Sequence, residues 1–301
     1  MSRICEGRVV IVTGAARGLG RSYALAFARH GARVVVNDLG TDLAGHGRDL
    51  SAAKAVVEEI HAFGGEAIVN GDDVADWEGA GHIVAAALEA FDGLDVVVNN
   101  AGVVRDRMFV SSTVEEWDAV IRVHLRGHYC VSRHAVEYWR QRSKQGLPVD
   151  ARIINTSSGA GLNGSMAQTA YSAAKGGIAS LTLVQAAELG RYGITANALA
   201  PAARTRMTEQ AFAEMMQKPE TGFDRQDPDN IAPTVVWLGS TQSQQVTGCV
   251  FELEGGSIMI DEGWQDGARV DIGRRWEPQE IGTAVHDLLQ KRRQPKKVYG
   301  S

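Results

Sequence analysis

One stretch limits the possible folds more than any other. Arg8-Val-Val-Ile-Val12 is a short β-branched run that leads straight into Thr13-Gly-Ala-Ala-Arg-Gly-Leu-Gly20, and Ser22 to His30 then reads as helix. Consecutive apolar, β-branched positions suit a central parallel strand buried on both faces. Glycines between such a strand and a helix let the backbone come close to an anionic group at the helix N-terminus. Gly14, Arg17, Gly18, Leu19 and Gly20 are therefore candidate contacts for a phosphate-bearing ligand. Apolar runs and helical patterns keep alternating afterwards: strands at 32–37, 66–71, 94–98, 152–156, 195–200 and 249–253, with helices between them. That alternation predicts an α/β fold, a Rossmann-like doubly wound parallel sheet of about seven strands with helices on both faces. Residues 1–262 are read as this domain and 263–301 as a C-terminal extension of it.

A second constellation lies downstream. Tyr171 and Lys175 share one helix face, one turn apart. An ammonium beside a phenol stabilises the phenolate and is expected to draw the tyrosine pKa down from its usual ~10 toward neutrality, as a general acid/base requires. Ser158 follows the apolar run Arg152-Ile-Ile-Asn-Thr156, which puts its hydroxyl at a strand's carboxyl end, where open α/β sheets bind ligands. Such a set moves a proton to or from an alcohol oxygen. The accompanying hydride needs a separate cofactor.

Composition narrows the partners. The formal charge of −5 gives no reason to expect nucleic acid. Cys5, Cys130 and Cys249 are too far apart for a disulfide framework or a zinc site, so no metal is expected and a reducing cytoplasm fits. The first strand begins almost at once and no apolar run is long enough for a bilayer, so neither a secretory leader nor a membrane span is expected.

Four motifs in order, Thr13 to Gly20, Asn99-Asn-Ala-Gly102, Ser158, and Tyr171-Ser-Ala-Ala-Lys175, make the chain similar to the short-chain dehydrogenase/reductase family over roughly residues 4 to 262. The glycine spacing departs from the usual dinucleotide fingerprint and is the variant typical of that family. The resemblance implies a nicotinamide cofactor, held by the glycine loop, by small residues at Asn100, Ala101 and Gly102, and by Lys175 at the nicotinamide ribose. Asp73 would meet the adenine amino group, with the Val74 backbone beside the ring; a turn-capping role is the plain alternative for Asp73. Asp38 ends the second strand, where a carboxylate accepts from ribose hydroxyls and repels a 2′-phosphate, so NAD is expected over NADP although Arg17 pulls the other way. Pro201 is kept, but the chain reads Pro201-Ala-Ala-Arg-Thr205 where the family has Pro-Gly, leaving Thr205 as the candidate contact to the carboxamide.

One departure narrows the resemblance. The family's Val-Asn-x-x-Gly reads Val123-His124-Leu-Arg-Gly127 here, and His124 is either a proton relay or a packed side chain. With Asn37-Asp-Leu-Gly40, Arg105-Asp-Arg107, Trp117-Asp118, Ser165 to Lys175 and Arg206-Met-Thr208, it resembles the dehydrogenase domain of peroxisomal multifunctional enzyme type 2 and its bacterial relatives. That implies a (3R)-hydroxyacyl-CoA or a 17β-hydroxysteroid as substrate. Rival readings are an NADP-dependent 3-oxoacyl reductase, which Asp38 opposes, and an NAD-binding protein without turnover, which needs no such serine, tyrosine and lysine. Methionines and phenylalanines at 206–226 suggest a lid over an apolar substrate or an ordinary helix and loop. The basic run Lys291-Arg-Arg293 and Lys296-Lys297 is either a solvated tail or a partner for CoA phosphates. The apolar helix after Tyr171 is covered by a second subunit, giving a homodimer or homotetramer, or is buried within one.

Overall fold

Each core strand divides its side chains between two hydrophobic cores, one on either side of a single sheet. In β1 (Val9–Thr13), Val10 and Val12 enter one core while Val9 and Ile11 enter the other. β2 (Arg33–Asn37) splits in the same way, with Val34 and Val36 opposed to Val35, and so does β4 (Val96–Asn99). This is the two-residue period of a strand, with both faces apolar because helices cover both. The structure is a computed structural model and describes residues 3–41, 47–205, 208 and 216–301.

Among the described residues the sheet has eight strands in the order β3-β2-β1-β4-β5-β6-β7-β8. The remaining strands are β3 (Glu66–Asn70), β5 (Ala151–Thr156), β6 (Ile194–Ala202), β7 (Val250–Glu254) and β8 (Ser257–Asp261). One core is covered by α1 (Gly18–Arg29), α2 (Ser51–Ala62) and the helix Ala232–Gly239, which contribute Phe27, Ile60 and Leu238. The other is covered by α3 (Trp77–Phe91) and α5 (Gly127–Lys144), through Ile83, Val131 and Trp139. Strand order runs outward from β1 in both directions, so a crevice opens at the carboxyl ends of β1 and β4, the place where such sheets take ligands.

Two elements differ from the sequence reading. The seven parallel strands are joined by β8, which pairs antiparallel with β7 through Glu254↔Ser257. Gly255 and Gly256 are the tight hairpin loop, Gly255 at φ +55°, and a two-residue Gly-Gly turn returns the chain on itself. The helical stretch between β4 and β5 is also not uniform. Thr113 caps α4 (Val114–Ile121) in a capping box with Glu116, but Arg122–Arg126 widens into a π-helical turn before α5. Such turns re-aim side chains and recur at functional sites. This one carries His124.

Of the proposed lid at 206–226, residues 206, 207 and 209–215 lie outside the described residues. Of its apolar side chains, Met216 is buried and Phe223 exposed.

Candidate active site

The carboxyl ends of β4 and β5 and the first turns of α7 (Thr169–Leu189) meet at one place, and the three expected side chains are there. Ser158 leaves β5 in extended backbone and caps the short helix α6 (Gly159–Asn163), its Oγ accepting from the Ala160 amide at 3.2 Å. The same hydroxyl is near enough to the Tyr171 phenol to favour its ionised form. Lys175 is buried one turn along α7, its Nζ 5.5 Å from the Tyr171 ring centroid and 2.5 Å from the Thr156 carbonyl, to which it donates.

Electrostatics correct one expectation. Desolvation raises the Tyr171 pKa; the Ser158 hydroxyl lowers it and Asp106 raises it further, so the net direction is up rather than toward neutrality. The first cause is burial of the phenol itself. Burial also lowers the Lys175 pKa from 10.5 to about 7, so near neutral pH this lysine is only partly charged. The pair therefore consists of a weakly acidic phenol and a lysine poised at neutrality.

His124 does not carry a proton as an imidazolium here. It is buried, and desolvation together with the Lys175 charge lowers its pKa to about 3. Its ring stands edge-on to Tyr171 with centroids 5.2 Å apart. Nε2 lies 2.7 Å from the Val103 carbonyl and 3.0 Å from the Val103 amide, while the buried Nδ1 has no hydrogen-bond partner among the described residues. This geometry favours the packed alternative, with the π-turn tying the loop after β4 against Tyr171. Gly102 belongs to the same contact, since a Cβ there would lie 2.3 Å from His124 Cε1.

The neighbouring crevice fits a dinucleotide. Gly14 has φ +63°, and a Cβ on it would meet the Ala101 Cα at 2.8 Å; one on Gly20 would meet the Gly14 carbonyl oxygen at 2.2 Å. The loop is thus packed to backbone-on-backbone contact, leaving its open side to a ligand. Arg17 is the N-cap of α1 and makes no side-chain capping bond, nor is there an acidic residue in the first turn. The first-turn amides of Gly18, Leu19 and Gly20 are left to an anion. Thr205 stands over Gly18, its Cγ2 3.5 Å from where a Cβ would be, and Pro201 lies in β6 opposite Leu253. Asp38 reaches back to the loop, Oδ2 accepting from Ala16 N at 3.0 Å and Oδ1 from Gly40 N at 2.9 Å. A carboxylate has acceptor capacity beyond two bonds, so ribose hydroxyls can still reach it. Asp73 is more committed: it accepts from the Ala75 amide at 2.8 Å and pairs with Arg122 at 2.7 Å, which is the turn-capping alternative. Val74 is buried and packs on Gly127.

Sequence reasoning placed Asn99 and Asn100 but missed the series to which they belong. Asn37 donates to Asn70 Oδ1 at 2.8 Å, Asn99 to Asn155 Oδ1 at 2.9 Å, and Asn155 to Thr182 and Gln185 on α7. Asn100 Nδ2 donates to the Thr13 carbonyl at 3.0 Å, and Thr13 Oγ1 accepts from the Asn100 and Ala101 amides. These side chains lock the strand ends that form the floor of the site. The signal was present, since an asparagine closes or interrupts the apolar run of β2, β3, β4, β5 and β6. Also missed was the mouth, where Arg107 N donates to the Ala167 carbonyl at 2.7 Å and Gln168 reaches Asp106.

Comparison with known proteins agrees with this geometry. The short chain dehydrogenase family model matches residues 8–216. The chain therefore belongs to the short-chain dehydrogenase family and is an alcohol-group oxidoreductase that uses a nicotinamide cofactor. It is 41% identical over 291 residues to hydroxyacyl-CoA dehydrogenase ChsB1 of Mycobacterium tuberculosis, covering 94% of this chain and 89% of that one. It is 43% identical to peroxisomal multifunctional enzyme type 2 of Mus musculus over 96% of its own length, but spans only 35% of that larger protein. Among solved structures, a short chain dehydrogenase from Mycobacterium avium superposes with a TM-score of 0.89 at 57% identity, covering 99% of this chain and 100% of that one. No helix among the described residues is long and apolar enough to cross a membrane.

Proposed function

We propose that this chain catalyses the reversible oxidation of a 3-hydroxyacyl-CoA to the 3-oxoacyl-CoA with NAD. The observation that carries the reading is the juxtaposition of Ser158, Tyr171 and Lys175 at the mouth of a glycine-walled crevice. When bound, the nicotinamide supplies the hydride acceptor. Tyr171 takes the hydroxyl proton of the substrate, and Ser158, beside that phenol, fixes the alcohol oxygen and steadies it as it becomes a carbonyl. Lys175, with its pKa near neutrality, holds the nicotinamide ribose and receives or returns the proton that Tyr171 exchanges. Asp38 at the end of β2 supports NAD, through the charge it would set against a 2′-phosphate.

The substrate class rests on the relatives, two of which carry hydroxyacyl-CoA or multifunctional peroxisomal names, and on charge near the mouth. Exposed Lys297 is two residues from Tyr299, whose backbone is bonded to the loop before α7. Lys296 is held by Glu252 and Asp261, so part of the basic run is anchored to the sheet edge rather than free. The test is a purified enzyme offered NAD with (3R)-hydroxyacyl-CoA esters or with a 17β-hydroxysteroid. Turnover of the CoA esters with at least about tenfold higher kcat/KM is expected, a difference of ~1.4 kcal/mol. Oxidation of the steroid alone would move the assignment to a neutral alcohol.

A further inference from the structure

The mouth of the site is built from three separated segments, and one of them comes from the tail. The loop after β4 contributes Arg107, which pairs in parallel with Gln168 of the loop before α7; Ser165 of that second loop pairs in parallel with Tyr299. Met166 N donates to the Tyr299 carbonyl at 2.9 Å, and Tyr299 N donates to the Gly164 carbonyl at 3.1 Å. Val298 lies against Gly164 and Gly300 against Met166. The loop so held is constrained: Ala167 adopts φ +60°, a left-handed conformation unusual for a residue with a Cβ. The Tyr299 side chain turns inward to the residue that follows Ser158. A Cβ on Gly159 would lie 2.6 Å from the Tyr299 hydroxyl and 3.1 Å from Cε2. Gly159 thus leaves a slot beside the serine, and the tyrosine ring fills it.

We infer that Tyr299 is a wall of the substrate pocket and limits the bulk of the substituent beside the reacting carbinol carbon. This deepens the alcohol-oxidation reading of Ser158, Tyr171 and Lys175 and rests on it. Ser158 and Tyr171 together fix the alcohol oxygen, so a group lodged against Gly159 faces one of the two substituents on the carbon that bears it. The ring is the operative part. Tyr299 remains partly open, 43% exposed. The segment 298–301 follows Lys297, so the residue that limits bulk is distinct from the charge proposed for the CoA phosphates.

The test compares 3-hydroxybutyryl-CoA with 3-hydroxydecanoyl-CoA, at saturating NAD, for the wild type, Tyr299→Ala and Tyr299→Phe. Tyr299→Ala is expected to raise the long-to-short ratio of kcat/KM about tenfold, the scale on which pocket volume discriminates chain length. Tyr299→Phe is expected to restore the wild-type ratio, and the KM for NAD should stay within about twofold throughout. An unchanged ratio in Tyr299→Ala, or a loss equal for both esters, would overturn the inference. A second readout is independent of turnover: deleting 298–301 should speed hydrogen exchange of the Met166 amide, whose acceptor is the Tyr299 carbonyl. Unaltered Met166 protection would overturn the wall even in a preparation without activity. A wild type that oxidises neither ester sinks the proposed substrate instead, and that result is separate from the exchange measurement.

Discussion

At the scale of single residues, burial decides what each titratable group can do. The His124 pKa falls from 6.5 to about 3, by desolvation first and the Lys175 charge second; His128 behind it is pushed well below 6.5 by the same causes, with His124 adding to them. Between about 3 and 6.5 the unfolded chain binds a proton at position 124 that the folded chain does not. Stability therefore rises with pH through this window and falls on acidification. One such group sets a slope of ~1.4 kcal/mol per pH unit in mid-window. Replacing His124→Asn should flatten the urea-unfolding stability profile between pH ~4 and ~6 by about that slope, leaving the share due to His128. Parallel profiles for the two proteins would mean that His124 is charged in the native state and would reopen the relay. Asp38 makes a separate claim. The wild type should favour NAD over NADP by at least about tenfold, ~1.4 kcal/mol. Asp38→Ser should narrow or invert that preference, while weakening both cofactors because the Ala16 and Gly40 amides lose their acceptor. Equal use of the two cofactors by the wild type would defeat the argument.

At the scale of elements, what could be read depended on whether local pattern or tertiary contact set the geometry. β1, its glycine loop and α1 were legible because β-branched residues, φ > 0 glycines and a helical pattern each point to one conformation. Ser158, Tyr171 and Lys175 were legible because helical spacing and a strand end fix their separation. The π-turn was not: Arg122–Arg126 has ordinary helical composition, and nothing local records that His124 turns to Val103. β8 was missed because it is short and mostly exposed, so it lacks the buried alternation that marks a strand. The role of Tyr299 was hidden for a further reason, since a contact between residues 159 and 299 leaves no periodic trace. Within the glycine loop the close packing gives a sharp expectation. Gly20→Ala places a methyl against the Gly14 carbonyl oxygen and should raise the NAD dissociation constant at least about tenfold. Calorimetric titration checks this, and unaltered affinity would mean that the loop does not face the cofactor.

For the whole molecule, the α7 surface bears on assembly. Ala174, Lys175, Ile178, Thr182 and Gln185 face inward, while Leu183 and Val184 on the same helix are 54% and 50% exposed. Of the two readings of this helix, the half-exposed face favours a second subunit over burial within one chain. We expect a homo-oligomer through this face, because closed symmetric assemblies are the common way to cover such a helix. Light scattering should show a multiple of the 32.3 kDa chain, reduced by Val184→Glu. A wild-type monomer would contradict the expectation. The same helix joins the surface to the site, since Asn155 bonds Thr182 and Gln185 on its inner face while Lys175 lies further toward its N-terminus.

The central claim is that Tyr171 exchanges the substrate proton and does little else. It is tested most directly by following the absorbance of reduced nicotinamide with (3R)-hydroxyacyl-CoA and NAD, in the wild type and in Tyr171→Phe, alongside NAD binding to both. Loss of the acid/base should lower kcat by about a hundredfold or more while the NAD dissociation constant stays within about twofold. A Tyr171→Phe enzyme that keeps about a tenth or more of wild-type turnover would contradict the account, because general acid/base catalysis of this kind is worth at least ~100-fold.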